Sequence, residues 1–239
     1  MTRKEDTRNP LSIFPRERSC EAAGVRIIDA ISKKYVPKWG NEKKYIAIHY
    51  LGVVGENHEL ASDGCGAHFY IYWDGRIYQR CALDAIVWAV GTAGVYRQKH
   101  PKACNGNTIS IEMCCKCDGD SSNAEDKTWY FTEETQEACV WLVKKLMKEL
   151  NIPEKNVLRH YDIVNKTCPA PYVHNNGYKT SWTWMEFQQR LQEVNEEKDT
   201  SAQQLYLVQC GAFEKRKNAE HLVQQLKQKG FEAIVKAVG

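Results

Sequence analysis

The sequence predicts an α/β fold: a mixed central β-sheet flanked by helices, with a small C-terminal βαβ half-domain after it. Three observations carry this. Apolar runs of strand length (Tyr45–Tyr50, Phe69–Trp73, Thr108–Met113) share the chain with two amphipathic stretches of helical period. The pair Asp74-Gly75 sits between two such runs and signals a tight hairpin. Residues 193–204 contain almost nothing apolar and read as a linker, so residues 205–239 form a separate unit. The expected organisation is a polar lead-in over 1–24, a main domain over 25–192, the linker, and the βαβ unit over 205–239.

Val25–Tyr35 reads as a short helix that stops before Pro37. Tyr45-Ile46-Ala47-Ile48-His49-Tyr50 reads as a buried strand that ends at His49, where Leu51-Gly52 turns the chain away. Phe69–Trp73 and Arg76–Gln79 form a hairpin around a two-residue turn. In Thr108–Met113 the period of two places Ile109, Ile111 and Met113 on one face and Thr108, Ser110 and Glu112 on the other. Thr132 caps a helix to about Leu150, with acidic Glu133 and Glu134 in its first turn and lysines toward its end. Cys139, Val143, Leu146, Met147 and Leu150 form its apolar stripe, and Asn151 and Pro153 stop it. A second helix begins near Ser181 and buries Trp184, Phe187, Leu191 and Val194. The loop between, Ala170–Lys179, is expected to rim a binding groove. In the last unit, Leu205–Phe213 and Phe231–Val238 read as strands around an amphipathic helix, Asn218–Lys229.

The segment Arg159–Pro169 concentrates chemistry: His160, Lys166 and Cys168 lie within nine residues. Imidazole and thiolate are both good Zn²⁺ ligands, and a structural site wants four of them. Two sit together here, so a third must come from elsewhere and a fourth position stays open, as in a catalytic site. His49 is the most plausible third ligand, although a histidine on an apolar strand is equally a hydrogen-bonded core residue. Glu112, on a face of small polar groups, suits a general base; the plainer reading is a surface carboxylate on a half-exposed sheet.

These residues occur in an order that resembles a known family. His49 after its strand, Gly66-Ala67-His68-Phe69 before the hairpin, Asn107–Glu112, and His160 with Lys166 and Cys168 look like the zinc-dependent N-acetylmuramoyl-L-alanine amidases. Phage endolysins, bacterial autolysins and peptidoglycan recognition proteins share that type, and the resemblance covers residues 44 to 192. It implies that His49, His160 and Cys168 ligate Zn²⁺, that Glu112 activates water and that Lys166 stabilises the oxyanion. The implied substrate is the bond between the lactyl group of N-acetylmuramic acid and L-alanine in bacterial peptidoglycan. Two positions depart from the family: Ala67 stands where relatives place a tyrosine, and Trp88-Ala89-Val90-Gly91 where they often read Trp-His-Ala-Gly.

The C-terminal unit, with Val208-Gln209-Cys210-Gly211-Ala212-Phe213 and Asn218-Ala219, resembles the first half of a SPOR domain. That family binds glycan strands stripped of stem peptides, which an amidase leaves behind. Two further readings stand beside the enzyme: a non-catalytic peptidoglycan-binding protein on the same fold, and a cytosolic amidase recycling wall fragments. Cys168 favours the enzyme, since the non-catalytic relatives typically lose the thiolate.

Composition bounds the rest. A net charge of +3 from 33 basic and 30 acidic residues gives no reason to expect a nucleic-acid partner. No apolar run approaches the roughly 18 residues of a membrane span. Met1–Pro10 is polar with no apolar stretch after it, so no secretory signal is expected, and action at the cell wall would come after release from the cytoplasm. Ten cysteines without such a signal are expected to be reduced thiols. Adjacent Cys114 and Cys115 cannot both point inward from one strand, which argues against a second metal site.

Overall fold

The computed structural model describes residues 27–175, 177–192, 211–229, Ala233 and Val235. Along the first of two units run β1 (Ile27–Asp29), β2 (Lys38–Trp39), β3 (Tyr45–Val54), β4 (Phe69–Ile71), β5 (Ile77–Gln79), β6 (Ala85–Ile86), β7 (Thr108–Cys117) and β8 (Trp129–Tyr130). Then come α1 (Glu133–Leu150), β9 (Val157–Arg159), α2 (His160–Ile163), α3 (Ala170–His174) and α4 (Trp184–Gln192). The second unit contributes α5 (Arg216–Gln228).

One mixed sheet organises the first unit, in the order β1-β5-β4-β7-β3-β9, with β8 added to the end of β7. The central strands β4, β7, β3 and β9 are mutually parallel, and β4 turns back antiparallel into β5. Both faces of β3 and β7 are covered, which is why their sequences are apolar with little alternation. Ile46, Ile48, Ile109, Ile111 and Met113 face a core closed by Ala138, Cys139, Leu142, Val143 and Leu146 of α1 and Phe187 and Leu191 of α4. Tyr45 and Ala47 face the other way, into a smaller cluster with Val90, Ala103, Ile163 and Val164.

Several expectations are met closely. Thr132 caps α1 by accepting from the Thr135 amide, Asn151 closes it in the left-handed region, and Met147 and Leu150 pack at the edge of its core. Trp184 and Phe187 are buried as expected and stacked, and Tyr172, expected in a loop, joins them. Other expectations are corrected. From Ile27 the segment expected to be a helix is a strand: Ile27–Asp29 pairs in parallel with Ile77–Gln79 on the open edge of β5. Two adjacent β-branched residues beside an unpaired edge gain more from the ladder than from one helical turn. The hairpin turn holds three residues rather than two. The Gly75 amide donates to the Tyr72 carbonyl, the Tyr72 amide donates to the Arg76 carbonyl, and Gly75 takes φ +80°. That turn is pinned to α1, since the Thr132 and Thr135 hydroxyls donate to the Trp73 and Tyr72 carbonyls.

The strand carrying His49 does not end there. It continues to Val54 through a register shift after Tyr50, with Gly52 at φ +70°. Thr108 and Ser110 are fully buried rather than half-exposed. Cys114 and Cys115 are both buried, on opposite faces of a sheet covered on both sides. The eight described cysteines are free thiols.

Of the C-terminal unit, Gly211–Phe213 carry no strand and α5 has no fully buried side chain. Both expected strands lie mostly outside the described residues, as do the lead-in over 1–24, the linker over 193–204 and Val194. No helix among the described residues is long and apolar enough to cross a membrane.

Candidate metal centre

Register places the first pair of site residues. His49 of β3 and Glu112 of β7 are direct partners in the parallel ladder, so their side chains leave the sheet side by side. His49 Nδ1 lies 4.0 Å from Glu112 Oε1. Beyond the register shift after Tyr50, Leu51 and Gly52 line a cleft that also holds the pair.

The remaining groups arrive from the chain after β9. His160 is the first residue of α2, immediately beyond Arg159, whose side chain is clamped by Asp162 and by the Tyr172 carbonyl. The chain then curls back: the Tyr161 amide donates to the Cys168 carbonyl, and the Cys168 amide to the Lys166 carbonyl. This return brings Cys168 Sγ to 3.7 Å from His49 Nδ1. The rings of His49 and His160 have centroids 4.6 Å apart. One ligand atom each from His49, His160 and Cys168 falls within 4.8 Å of the others, and all three residues are buried.

Lys166 reaches the same cleft. Its loop is braced by a short antiparallel bridge between Gln98 and Val164 and by the Asn165 amide donating to the Arg97 carbonyl. The Tyr96 ring lies 5.9 Å from the ammonium. The cleft measures about 290 Å³, and Cys65, Gly66, Trp88, Ala89 and Ala124 complete its walls. Among the described residues of the Ala170–Lys179 segment, expected to rim the groove, none lines it. Ala170–His174 fold into α3, with Ala170, Pro171 and Tyr172 buried.

Electrostatics sharpen the picture. Burial, then the Lys166 charge, holds His160 down to about 3, and burial holds His49 well below its ordinary value. Both imidazoles are therefore neutral, the form that ligates a metal. Burial raises the Glu112 carboxyl to about 8 against the opposing pull of Lys166. Burial also pushes the Cys168 thiol up, with Glu112 adding to the effect. In each case the dry pocket disfavours the charged form of the side chain.

Hydrogen bonding points to an ion. His49 Nε2, both ring nitrogens of His160 and Glu112 Oε2 are buried without a partner. Buried polar atoms are normally satisfied, and orphaned ones call for an ion or water. Two imidazole nitrogens and one thiol sulfur are the donor set of a small, borderline-soft cation such as Zn²⁺. The residues present fit that ion.

His68 behaves differently from its neighbours. Its Nδ1 accepts from the Ser110 amide and its Nε2 donates to the Ala85 carbonyl, so it is a structural histidine holding β4 beside β7. Trp88, 45 % exposed at the cleft, and Cys65 beside it were not singled out as site residues from sequence. Only their closeness to the Gly66–Phe69 and Trp88–Gly91 motifs marked the region.

A mixed sheet whose central strands carry a carboxylate beside a buried His/His/Cys cluster, open to a cleft, defines a candidate metalloenzyme. Comparison with known proteins makes the class specific. The family model described as N-acetylmuramoyl-L-alanine amidase matches residues 39–171, and the chain belongs to that family. The SPOR domain model matches residues 202–239.

Among curated relatives, the amidase CwlH of Bacillus subtilis (strain 168) is 36 % identical over 108 residues, which is 44 % of this chain and 36 % of that protein. The amidase CwlL of Bacillus licheniformis is 33 % identical over 78 residues, or 33 % of this chain and 19 % of that protein. The chain thus spans well under two thirds of the relatives it matches. Among solved structures, PlyL aligns over 70 % of this chain and 96 % of its own, with TM-score 0.51 at 21 % identity. The PlyG catalytic domain aligns over 71 % and 95 %, with TM-score 0.50 at 20 % identity. At such identities the likeness speaks for the fold alone.

Proposed function

We propose that this chain hydrolyses the amide joining the lactyl group of N-acetylmuramic acid to L-alanine in peptidoglycan, with Zn²⁺ held by His49, His160 and Cys168. The observation that carries the proposal is the convergence of those three ligand atoms within 4.8 Å, beside Glu112 in one cleft. Family membership supplies the substrate. When bound, the ion supplies Lewis acidity that polarises a carbonyl and acidifies a water.

The chain's own groups do the rest. His49 and His160 hold the ion as neutral imidazoles, and Cys168 gives up its thiol proton on binding it. Glu112 takes the proton of the attacking water and delivers it to the departing amine of L-alanine. A carboxyl poised near neutral pH, as burial makes this one, suits both halves of that transfer. The Lys166 ammonium faces the negative charge that develops on the scissile carbonyl oxygen. Leu51 and Trp88 line the cleft in which the substrate would lie.

The proposed organisation is a catalytic domain over 25–192, a linker over 193–204 and a SPOR-like unit over 205–239 that holds the enzyme to glycan strands already cleared of peptide. The site of action is then the bacterial cell wall.

The test is release of L-alanine amino termini from purified peptidoglycan, with and without a zinc chelator, beside a Cys168→Ser variant. Activity lost to both treatments supports the assignment. Folded, zinc-loaded protein that releases no new termini overturns it.

A further inference from the structure

Glu112 has neighbours on both sides in the sheet. On β3 its partner is His49; on β4 its partner is Tyr70. Three side chains therefore stand in a row across β4, β7 and β3 on the face that bears the cleft. Tyr70 is 2 % exposed, and its hydroxyl accepts from the Ala67 amide at 2.9 Å. That approach depends on Gly66: a Cβ there would sit 2.4 Å from the Tyr70 hydroxyl oxygen, and Gly66 itself lines the cleft. The Tyr70 ring thus passes beneath the cleft wall, with its hydroxyl at the wall's inner surface.

Two polar groups in this row are half-satisfied. Glu112 Oε2 is buried with no donor, while Oε1 faces His49. The Tyr70 hydroxyl has used a lone pair on the Ala67 amide, and among the described residues no acceptor takes its proton. A buried donor and a buried acceptor on adjacent strands of one sheet face can share a single bridging water.

We infer that Tyr70 is a positioning residue for the reaction, donating its hydroxyl proton through one bridging water to Glu112 Oε2. This fixes the carboxylate so that Oε1 is presented to the reacting water beside His49. Burial, with the neighbouring Glu112 charge, keeps the phenol protonated, so it remains a donor throughout and transfers nothing. The inference rests on the reading of Glu112 as general base.

The experiment is a double-mutant cycle with Tyr70→Phe and Glu112→Gln, read as kcat and KM for release of alanine termini, with a high-resolution crystal structure of the parent and of Tyr70→Phe. Loss of one such hydrogen bond predicts a fall in kcat of about tenfold in the parent, with KM within about twofold. In the Glu112→Gln background the same change is expected to cost less than about twofold, because the base it positions is gone.

A purely structural hydroxyl, tethering Ala67 alone, would lower activity equally in both backgrounds and would overturn the inference. So would an unchanged kcat in Tyr70→Phe. The crystal structure decides independently of turnover: a parent with neither a water nor a direct bond between Tyr70 Oη and Glu112 Oε2 overturns it. An inactive parent that nonetheless shows the bridge counts against the proposed function, not against the geometry.

Discussion

His49 and Glu112 come from strands separated by more than fifty residues, yet they are register partners, and Nδ1 lies 4.0 Å from Oε1. A parallel ladder fixes that relationship through backbone hydrogen bonds, so it does not depend on the loops around the cleft. The proposed base and a candidate metal ligand are thereby set on one sheet surface, to which Cys168 and His160 are delivered by a single returning segment.

This pairing makes Glu112 the first residue to test. Glu112→Gln keeps size and burial and removes the proton acceptor. It is expected to lower kcat by about 10²–10⁴ while leaving zinc content and thermal midpoint close to those of the parent. A rate assay beside metal analysis checks it; near-parental turnover would remove Glu112 from the mechanism.

Metal loading should be visible without turnover. Zn²⁺ binding to the folded cluster is expected to raise stability by about 2.7 kcal/mol at a hundredfold excess over Kd and to release protons. Replacing Cys168 with Ala removes one of the three ligands that converge within 4.8 Å, so most of that increment should vanish. Thermal unfolding with added zinc and with a chelator measures both effects. A zinc response undiminished in Cys168→Ala would place the ion elsewhere.

Gly66 is expected to be intolerant of a side chain. A Cβ would lie 2.4 Å from both Leu60 Cδ2 and the Tyr70 hydroxyl, at a φ of +142° that L-residues rarely adopt. Gly66→Ala should cost about 1–3 kcal/mol of stability through overpacking, and the strained backbone adds to that. Because Gly66 lines the cleft, activity should fall as well. Urea unfolding with an unchanged midpoint would contradict this reading.

His68 gives a pH dependence separable from the site. Burial depresses its folded value from 6.5 to about 4, while the unfolded chain titrates at the ordinary value. Between those two limits the unfolded state binds more protons, so stability rises with pH. The contribution is fully present above about 6.5 and is lost as pH falls toward 4, roughly 3 kcal/mol over the window. His68→Gln should flatten the acid limb of the stability curve between pH 4 and 6.5, at some cost in stability at neutral pH. An unaltered slope would show that another group carries the acid sensitivity.

The sequence by itself determined a good deal. The apolar runs of β3 and β7, the capped and correctly bounded α1, and the grouping of His160, Lys166 and Cys168 are local facts. They depend on residue type and spacing, which propensity and capping read directly. The residues 49, 112, 160, 166 and 168 could be nominated for one site because their chemistry is distinctive and their order matches a family.

Only the tertiary structure decided how those residues meet. Whether His49 faces a cleft or the core depends on the β3–β7 register, a long-range pairing that no local pattern encodes. The edge position that turned Ile27–Asp29 into a strand exists only once β5 is folded beside it. Likewise Ala170–His174 carries polar and loop-forming neighbours but closes the core, because Tyr172 finds Phe131 and Phe187 there. The row of Tyr70, Glu112 and His49 is invisible along the chain and immediate across the sheet. Side chains on adjacent strands become neighbours through hydrogen bonds between backbones, whose pairing is chosen by the whole core rather than by any one segment.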